Sequence, residues 1–313
     1  LLSDSLIEIQ ENSMNLRGAV LLAIGALAVS ASLAGCDSNS AAGPSGLGGA
    51  APAVAKDETL AAKLPAAIKS AGVIRVAMDQ TYPPFESVVG GKVVGFEPDL
   101  ATAIGSVLGV RVEFVNTSFD AVIPSLSANK VDMAMSSIGD TKERERTVDF
   151  VTYYWNGNLV LVKKGNPEQI KADLVCDARV GVIRGSLQQT DFLPKQTPKC
   201  ASAGKSAPTA EVYQTGPQAQ LALQSGRIDG VVEDAPPLLA VAAAQPQTFE
   251  AAGPFVRNPN PGGAAFPKGS TLVEPVHDAL SVLFENGTYK AILEKWNLET
   301  IEIGQSQING AQS

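Results

Sequence analysis

The sequence predicts an α/β fold with largely parallel sheets. Three observations carry that expectation. Strand and helix signals alternate from Val73 onward, the strand runs are short and rich in β-branched residues, and four of them end in small or polar residues. Alternating β and α units pack as helices on parallel strands, and the ligands of such sheets bind outside the carboxyl ends of the strands. The pattern alone therefore nominates Asp79, Ser136 with Ser137, Gly185 with Ser186, and Glu233 with Asp234.

The elements follow in order. Residues 73–78 (Val-Ile-Arg-Val-Ala-Met) form the first strand. Glu97-Pro98-Asp99 opens a helix with proline near its first position; Leu100, Ala103, Ile104, Val107 and Leu108 recur at helical spacing, and Gly109 ends it. A strand at 110–115, a helix at 119–128 and a strand at 131–135 come next. Another strand at 159–163 is ended by Lys164-Gly165-Asn166-Pro167. Strands at 179–183 and 229–232 are separated by helical text, and two amphipathic helices, 274–285 and 288–296, flank an Asn286-Gly287 break.

Ahead of this body lies a leader. Arg17 precedes an apolar run at 18–30, which reads as a signal peptide spanning 14–35. The run is short of the roughly 20 apolar residues a membrane span needs. Leu33-Ala34-Gly35-Cys36 follows and looks like a bacterial lipobox, in which Cys36 is lipidated and becomes the mature N-terminus; the alternative is an ordinary small-residue cleavage site. Residues 1–13 carry Asp4, Glu8 and Glu11 where a leader should be basic, so Met14 is the expected start and 1–13 a misassigned extension. Residues 36–57 are rich in Ala, Gly, Ser and Pro and read as a flexible tether, with an expected reach of about 25 Å. The Gly46-Leu47-Gly48-Gly49 run within it follows no strand and is read as linker, not as a dinucleotide fingerprint.

Composition removes several functions. The formal net charge of −8 repels phosphate backbones, and 5% aromatics leave little for base stacking, so no nucleic-acid partner is expected. One histidine, His277, and three cysteines leave no conventional zinc site, and no metal or cofactor is expected. There is no Gly-x-Ser-x-Gly elbow, and Gly204-Lys205-Ser206 has Lys199 where a phosphate loop needs its leading glycine. His277, in an amphipathic late helix beside Asp278, is read as a surface residue, not a general base. With Cys36 lipidated, Cys176 and Cys200 remain; an even remainder in an exported chain suggests a disulfide, against two free thiols.

An ordered series of motifs makes the reading specific. Asp79-Gln80-Thr81-Tyr82-Pro83-Pro84-Phe85-Glu86, Val94-Gly95-Phe96-Glu97-Pro98-Asp99-Leu100 and Phe119-Asp120-Ala121-Val122-Ile123-Pro124-Ser125-Leu126 come first. Asp132-Met133-Ala134-Met135-Ser136-Ser137, Thr141-Lys142-Glu143-Arg144-Glu145-Arg146, Val148-Asp149-Phe150, Asn286-Gly287-Thr288-Tyr289 and Trp296 continue it. Together they resemble the family 3 solute-binding proteins of ABC importers, over residues 72–298. The resemblance implies a two-lobed, periplasmic-binding-protein-like fold of type II, each lobe a mixed β-sheet flanked by helices. It implies lobe one at 58–153 and 263–300, lobe two at 158–257, hinge crossings at 154–157 and 258–262, and a tail at 301–313. It further implies a monomer that is not an enzyme. Such a protein captures a polar, neutral or cationic, free amino acid and delivers it to the importer's permease, lipid-anchored to the outer face of the cytoplasmic membrane.

A free amino acid is a zwitterion, and the resemblance assigns its two ends. Arg144 would pair the carboxylate; read alone, 142–146 is a solvated helix face. Asp140 would cap that helix, with Glu143 three residues on. Asp234 would take the ammonium; read alone, it is a turn residue before Pro236-Pro237. Tyr82 and Phe119 would wall the side chain, with core packing as the alternative. Ser136, Ser137 and Ser186 would add hydrogen bonds or simply shape turns. Gly139 stands where the family usually has a hydroxyl, a departure at the carboxylate. Asp79 and Glu233 would add negative charge; Arg184 is the one nearby cation that could favour an acidic ligand. A dehydratase of the same fold acting on a small cyclic acid is the alternative function. A sensory domain is a third, but it would continue into a membrane span and a signalling domain, which the text after Trp296 does not resemble.

Overall fold

The computed structural model describes residues 54–313, so the leader, Cys36 and residues 37–53 of the tether lie outside the described residues. Residues 54–57, read from composition as tether, are docked: the Asp57 N–H donates to the Val107 carbonyl at 2.8 Å. Asp57 Oδ1 accepts from the amides of Thr59 and Leu60 (2.8 and 3.0 Å), capping α1 (Glu58–Lys63). Then come α2 (Ala66–Ala71), β1 (Val73–Met78), β2 (Thr81–Tyr82), β3 (Glu86–Val89), β4 (Lys92–Val94), α3 (Phe96–Leu108), β5 (Arg111–Asn116), α4 (Phe119–Ser127) and β6 (Met133–Ala134). β1 pairs in parallel with β5 on one side and β6 on the other, while β2 to β4 form a small antiparallel sheet of their own. β6 is shorter than the expected strand at 131–135. The Asp132 carboxylate instead takes the Arg75 amide (2.8 Å) and its guanidinium (2.8 and 3.0 Å), a side-chain substitute for the ladder.

β7 (Val148–Lys163) is the backbone of the architecture. Val148 to Trp155 pair antiparallel with the far half of β12 (Val256–Pro267), and Asn158 to Val162 pair with β10 (Gly230–Asp234). Between β7 and β12 lie β8 (Arg179–Ile183), α5 (Leu193–Ser202), β9 (Thr209–Tyr213), α6 (Gly216–Gln224), α7 (Ala235–Ala244) and β11 (Phe249–Ala251). The chain then returns through β12 to α8 (Val273–Glu285) and α9 (Thr288–Trp296). The strand order is β5-β1-β6-β12-β7-β10-β8-β9, with β11 also on β7.

The apolar residues fall into separate cores on either side of these crossings. Phe96, Ile104, Tyr153, Phe266, Leu280 and Tyr289 centre one side, and Leu161, Leu223, Val231 and Val180 centre the other. Two lobes, each with its own core and joined by β7 and β12, is the resulting fold. β7 runs unbroken through 154–157, the stretch that the resemblance assigned to a hinge crossing. A Cβ at Gly157 would lie 2.6 Å from the Phe255 ring and 3.0 Å from the Val256 carbonyl, so the glycine makes room for the neighbouring crossing instead of ending a strand. Among the described residues no helix is long and apolar enough to cross a membrane.

Candidate ligand-binding site

Strand ends and first helical turns converge on one cavity of about 470 Å³, counted out to its mouth. Asp79 follows β1, Ser136 and Ser137 follow β6, Asp234 ends β10, and Phe119 starts α4. Nine of the positions singled out from sequence line it, namely Asp79, Tyr82, Phe119, Ser136, Ser137, Gly139, Arg144, Ser186 and Asp234, whereas Gly185, Arg184 and Glu233 do not. Thr81, Glu86, Asn156, Ile183, Leu187 and Gln188 line it too. Glu86 stood inside a quoted motif, and Gln188 lies two residues past Ser186, so position could have pointed to both.

Asp234 is the best-held acid. Its Oδ1 accepts from Asn156 Nδ2 (2.7 Å) and Gln188 Nε2 (2.8 Å), and its Oδ2 from Ser137 Oγ (2.8 Å), a residue of the opposite lobe. The Asp234 amide donates to Tyr82 Oη at 3.2 Å. Burial raises its pKa, while these side-chain bonds pull it back down. Ser137 itself sits in the left-handed region (φ 48°), which turns its amide toward Glu97 (2.9 and 3.1 Å) and its hydroxyl toward the cleft.

Arg144 faces it across the cavity. Its Nη1 donates to the Gly139 carbonyl (2.8 Å) and its Nη2 to the Gly185 carbonyl (3.0 Å), one from each lobe. A guanidinium has five N–H donors, so three are left for a ligand. Burial lowers its pKa, with Tyr154 and Asp234 opposing, but a guanidinium stays charged. Asp79 is fixed by Thr81 Oγ1 (2.6 Å) and the Phe119 amide (3.2 Å), each of its oxygens accepting one bond. Glu86 is fully buried; its Oε1 accepts from Ser136 Oγ (2.9 Å), and its carboxyl is in hydrogen-bond contact with that of Glu97. Burial and the adjacent Glu97 push its pKa well up, and Glu97 in turn accepts from Tyr153 Oη.

Two sequence readings, those of Glu233 and Asp140, are corrected by the geometry, and Arg184 and His277 stand outside the site. Glu233 does not face the cavity: adjacent strand residues point to opposite sides, and its carboxyl abuts Gly216 at the start of α6, unpartnered, with burial raising its pKa to about 8. Arg184 is half-exposed and lies 4.0 Å from Asp120 at the cleft rim, so it supplies no buried cation to the site. Asp140 caps nothing; Arg144 to Arg146 form a single 3₁₀ turn whose Arg144 amide donates to Thr141 Oγ1 (3.2 Å), and Asp140 turns away to accept from the Ala311 amide (3.1 Å). His277 is half-buried, its Nε2 3.4 Å from the Ser306 carbonyl. Near it Glu274, His277 and Asp278 converge, but the Lys63 ammonium already pairs with Asp278 at 2.7 Å. The Ser186 hydroxyl accepts from the Gln189 amide (3.2 Å), a turn role at the cavity wall. In lobe two Cys176 and Cys200 are joined as a disulfide.

The model of the bacterial extracellular solute-binding proteins, family 3, matches residues 74–299. The arginine-binding protein ArgT of Corynebacterium glutamicum is 28% identical over 293 residues, covering 93% of this chain and 95% of that protein. A solved ancestral arginine-binding protein bound to arginine superposes with a TM-score of 0.66 at 34% identity, over 72% of this chain and 98% of that one. An ancestral amino acid-binding protein described as a precursor of cyclohexadienyl dehydratase gives 0.64 at 32% identity, over 74% and 97%.

Proposed function

We propose that this chain, which belongs to the bacterial extracellular solute-binding proteins of family 3, captures a cationic α-amino acid between its lobes and hands it to the permease of an ABC importer. One observation carries the reading: Arg144 and Asp234 stand on opposite lobes of a single cavity that also holds Asp79 and Glu86. The guanidinium takes the ligand carboxylate, and Asp234 keeps lone-pair capacity for the ammonium. Tyr82 and Phe119 cover the aliphatic stem, and Asp79 with Glu86, two acids on the cavity wall, suits a positive side-chain terminus. Arginine is the first candidate, supported by the relatives' ligands. A ligand held by both lobes favours the closed form through contacts absent from the open one.

The protein is read as a carrier, not an enzyme. The dehydratase alternative has a structural neighbour, but a buried Asp234 held by three side chains matches an ammonium better than a carbocyclic acid. A lipid on Cys36 would anchor it extracytoplasmically, as a monomer, on the outer face of the cytoplasmic membrane. Mass spectrometry of the mature N-terminus tests that anchor.

A thermal-shift panel of the twenty amino acids, opines and small cyclic acids tests the function. Ligand at 100 times its Kd adds about 2.7 kcal/mol of stability. Arginine or lysine should raise Tm, Arg144→Ala should abolish the response in a folded protein, and Asp234→Asn should weaken it. A shift with cyclic acids alone, or with nothing, overturns the reading.

A further inference from the structure

Residues 302–313 lie beyond the 74–299 span that matches the family, yet they are built into the body at the point where the clamp is made. The segment first adds to the free edge of β7 in lobe one. The Thr152 amide donates to the Gln307 carbonyl (2.9 Å), the Gln307 amide to Thr152 Oγ1 (3.0 Å), and Phe150 and Asn309 exchange two bonds (2.9 and 3.1 Å).

Its last residues then leave the sheet and reach the Arg144 turn. The Ala311 amide donates to Asp140 Oδ2 (3.1 Å) and Glu145 Oε1 (3.2 Å), and the Lys142 amide donates to the Ser313 carbonyl (3.0 Å). The same residues grip β12 where it crosses between lobes. Asn260 Oδ1 accepts from the amides of Gln312 (2.8 Å) and Ser313 (3.1 Å), and its Nδ2 donates to the Ser313 carbonyl (3.0 Å). Asn260 sits at the register shift between β7 and β12, and the next residue, Pro261, accepts from the Asp140 amide at 2.9 Å.

A single 3₁₀ turn has few bonds of its own with which to hold a buried guanidinium in place. Here residues on both sides of Arg144 are fixed from outside, by a segment that is also fixed to the crossing strand. We propose that residues 310–313 are a positioning strap: they hold the Arg144 turn in register with the β12 crossing, so that the carboxylate clamp is pre-organised and moves with the hinge. This rests on the carboxylate role of Arg144 proposed above. Pre-organisation of this kind acts on affinity and on release, not only on folding.

The test compares full-length protein, a variant lacking 310–313, Asn260→Ala, and Val276→Ala as a lobe-one core truncation that costs stability away from the strap. Arginine affinity and dissociation rate are measured by calorimetry and stopped flow, and amide exchange is followed without ligand. The strap-less variant and Asn260→Ala should bind arginine roughly tenfold more weakly, chiefly through faster release, and lose amide protection at residues 142–147. Val276→Ala should lower Tm and leave both readouts unchanged. Wild-type affinity and protection in the two strap variants, or the same losses in Val276→Ala, would overturn the proposal. If full-length protein binds no amino acid, the functional reading fails, and the exchange comparison alone decides on the strap.

Discussion

Gly139 and Leu187 meet across the cleft: a Cβ on Gly139 would lie 2.5 Å from Leu187 Cδ1. A side chain at position 139 would have to push the Leu187 methyl aside. The departure noted in the sequence therefore sits directly against Leu187, and Arg144 donates to the Gly139 carbonyl beside it. Gly139→Thr should weaken ligand binding by about 1–3 kcal/mol through overpacking. Leu187→Ala in the same chain should restore most of it, read as a double-mutant cycle by calorimetry. Additive effects of the two changes would show that the contact does not matter.

The Glu86 carboxyl supplies a second, independent prediction. Burial and Glu97 raise its pKa, so in the free protein it tends to hold a proton; a cationic side chain placed against it favours the ionised form and drives the proton off. Arginine binding should release protons, measured as a dependence of calorimetric enthalpy on buffer ionisation enthalpy. Glutamine should release few, and Glu86→Gln should remove the effect for arginine. Equal proton release with arginine and glutamine would argue against Glu86 meeting the side-chain terminus.

Much of this site was legible because the residues that build it lie at strand ends, where chain direction and chemistry coincide. Asp79, Ser137 and Asp234 could be nominated from their strands alone, and the motif series assigned Arg144. Which of two adjacent acids faces the cavity was not legible. That depends on the register of β10 against β7, where Asp234 lies opposite Asn158, and a one-residue shift would have exchanged Glu233 for Asp234. The single β7 strand was not legible, since only 159–163 of it read as strand and 154–157 was assigned to a hinge. The docking of residues 302–313 left no trace in periodicity, since it rests on side chains of Asp140, Asn260 and Thr152 that are distant in sequence.

The disulfide should matter for lobe two and little for the clamp. Cys176 and Cys200, separated by 24 positions, close a loop that carries β8 and runs into α5, worth about 3 kcal/mol in the chain-entropy account. Non-reducing peptide mapping should recover the linked pair. Cys176→Ser with Cys200→Ser should lower Tm by several degrees while Arg144-dependent binding persists. Two alkylatable thiols in the mature protein would refute the pairing.

Stability should fall as pH rises toward mildly alkaline conditions, and Glu233 is one of the buried carboxyls that cause it. Its pKa is raised to about 8 by burial, with Asp234 adding to the shift, against an ordinary value of 4.5. Between those two values the folded state holds a proton that the unfolded state has lost. Folding therefore takes up a proton, and the stability this provides is complete below about 4.5 and lost as pH climbs through about 8. Asp140, raised to about 7 by burial and Glu145, acts in the same direction over a lower window. Glu233→Gln keeps the shape and removes the ionisation, so its Tm should fall less between about pH 5 and 8 than that of the wild type, with the difference growing above about pH 7. Parallel Tm profiles for the two proteins would mean that the Glu233 carboxyl does not titrate in this range, and that the space beside Gly216 is less closed to water than the burial of Glu233 indicates.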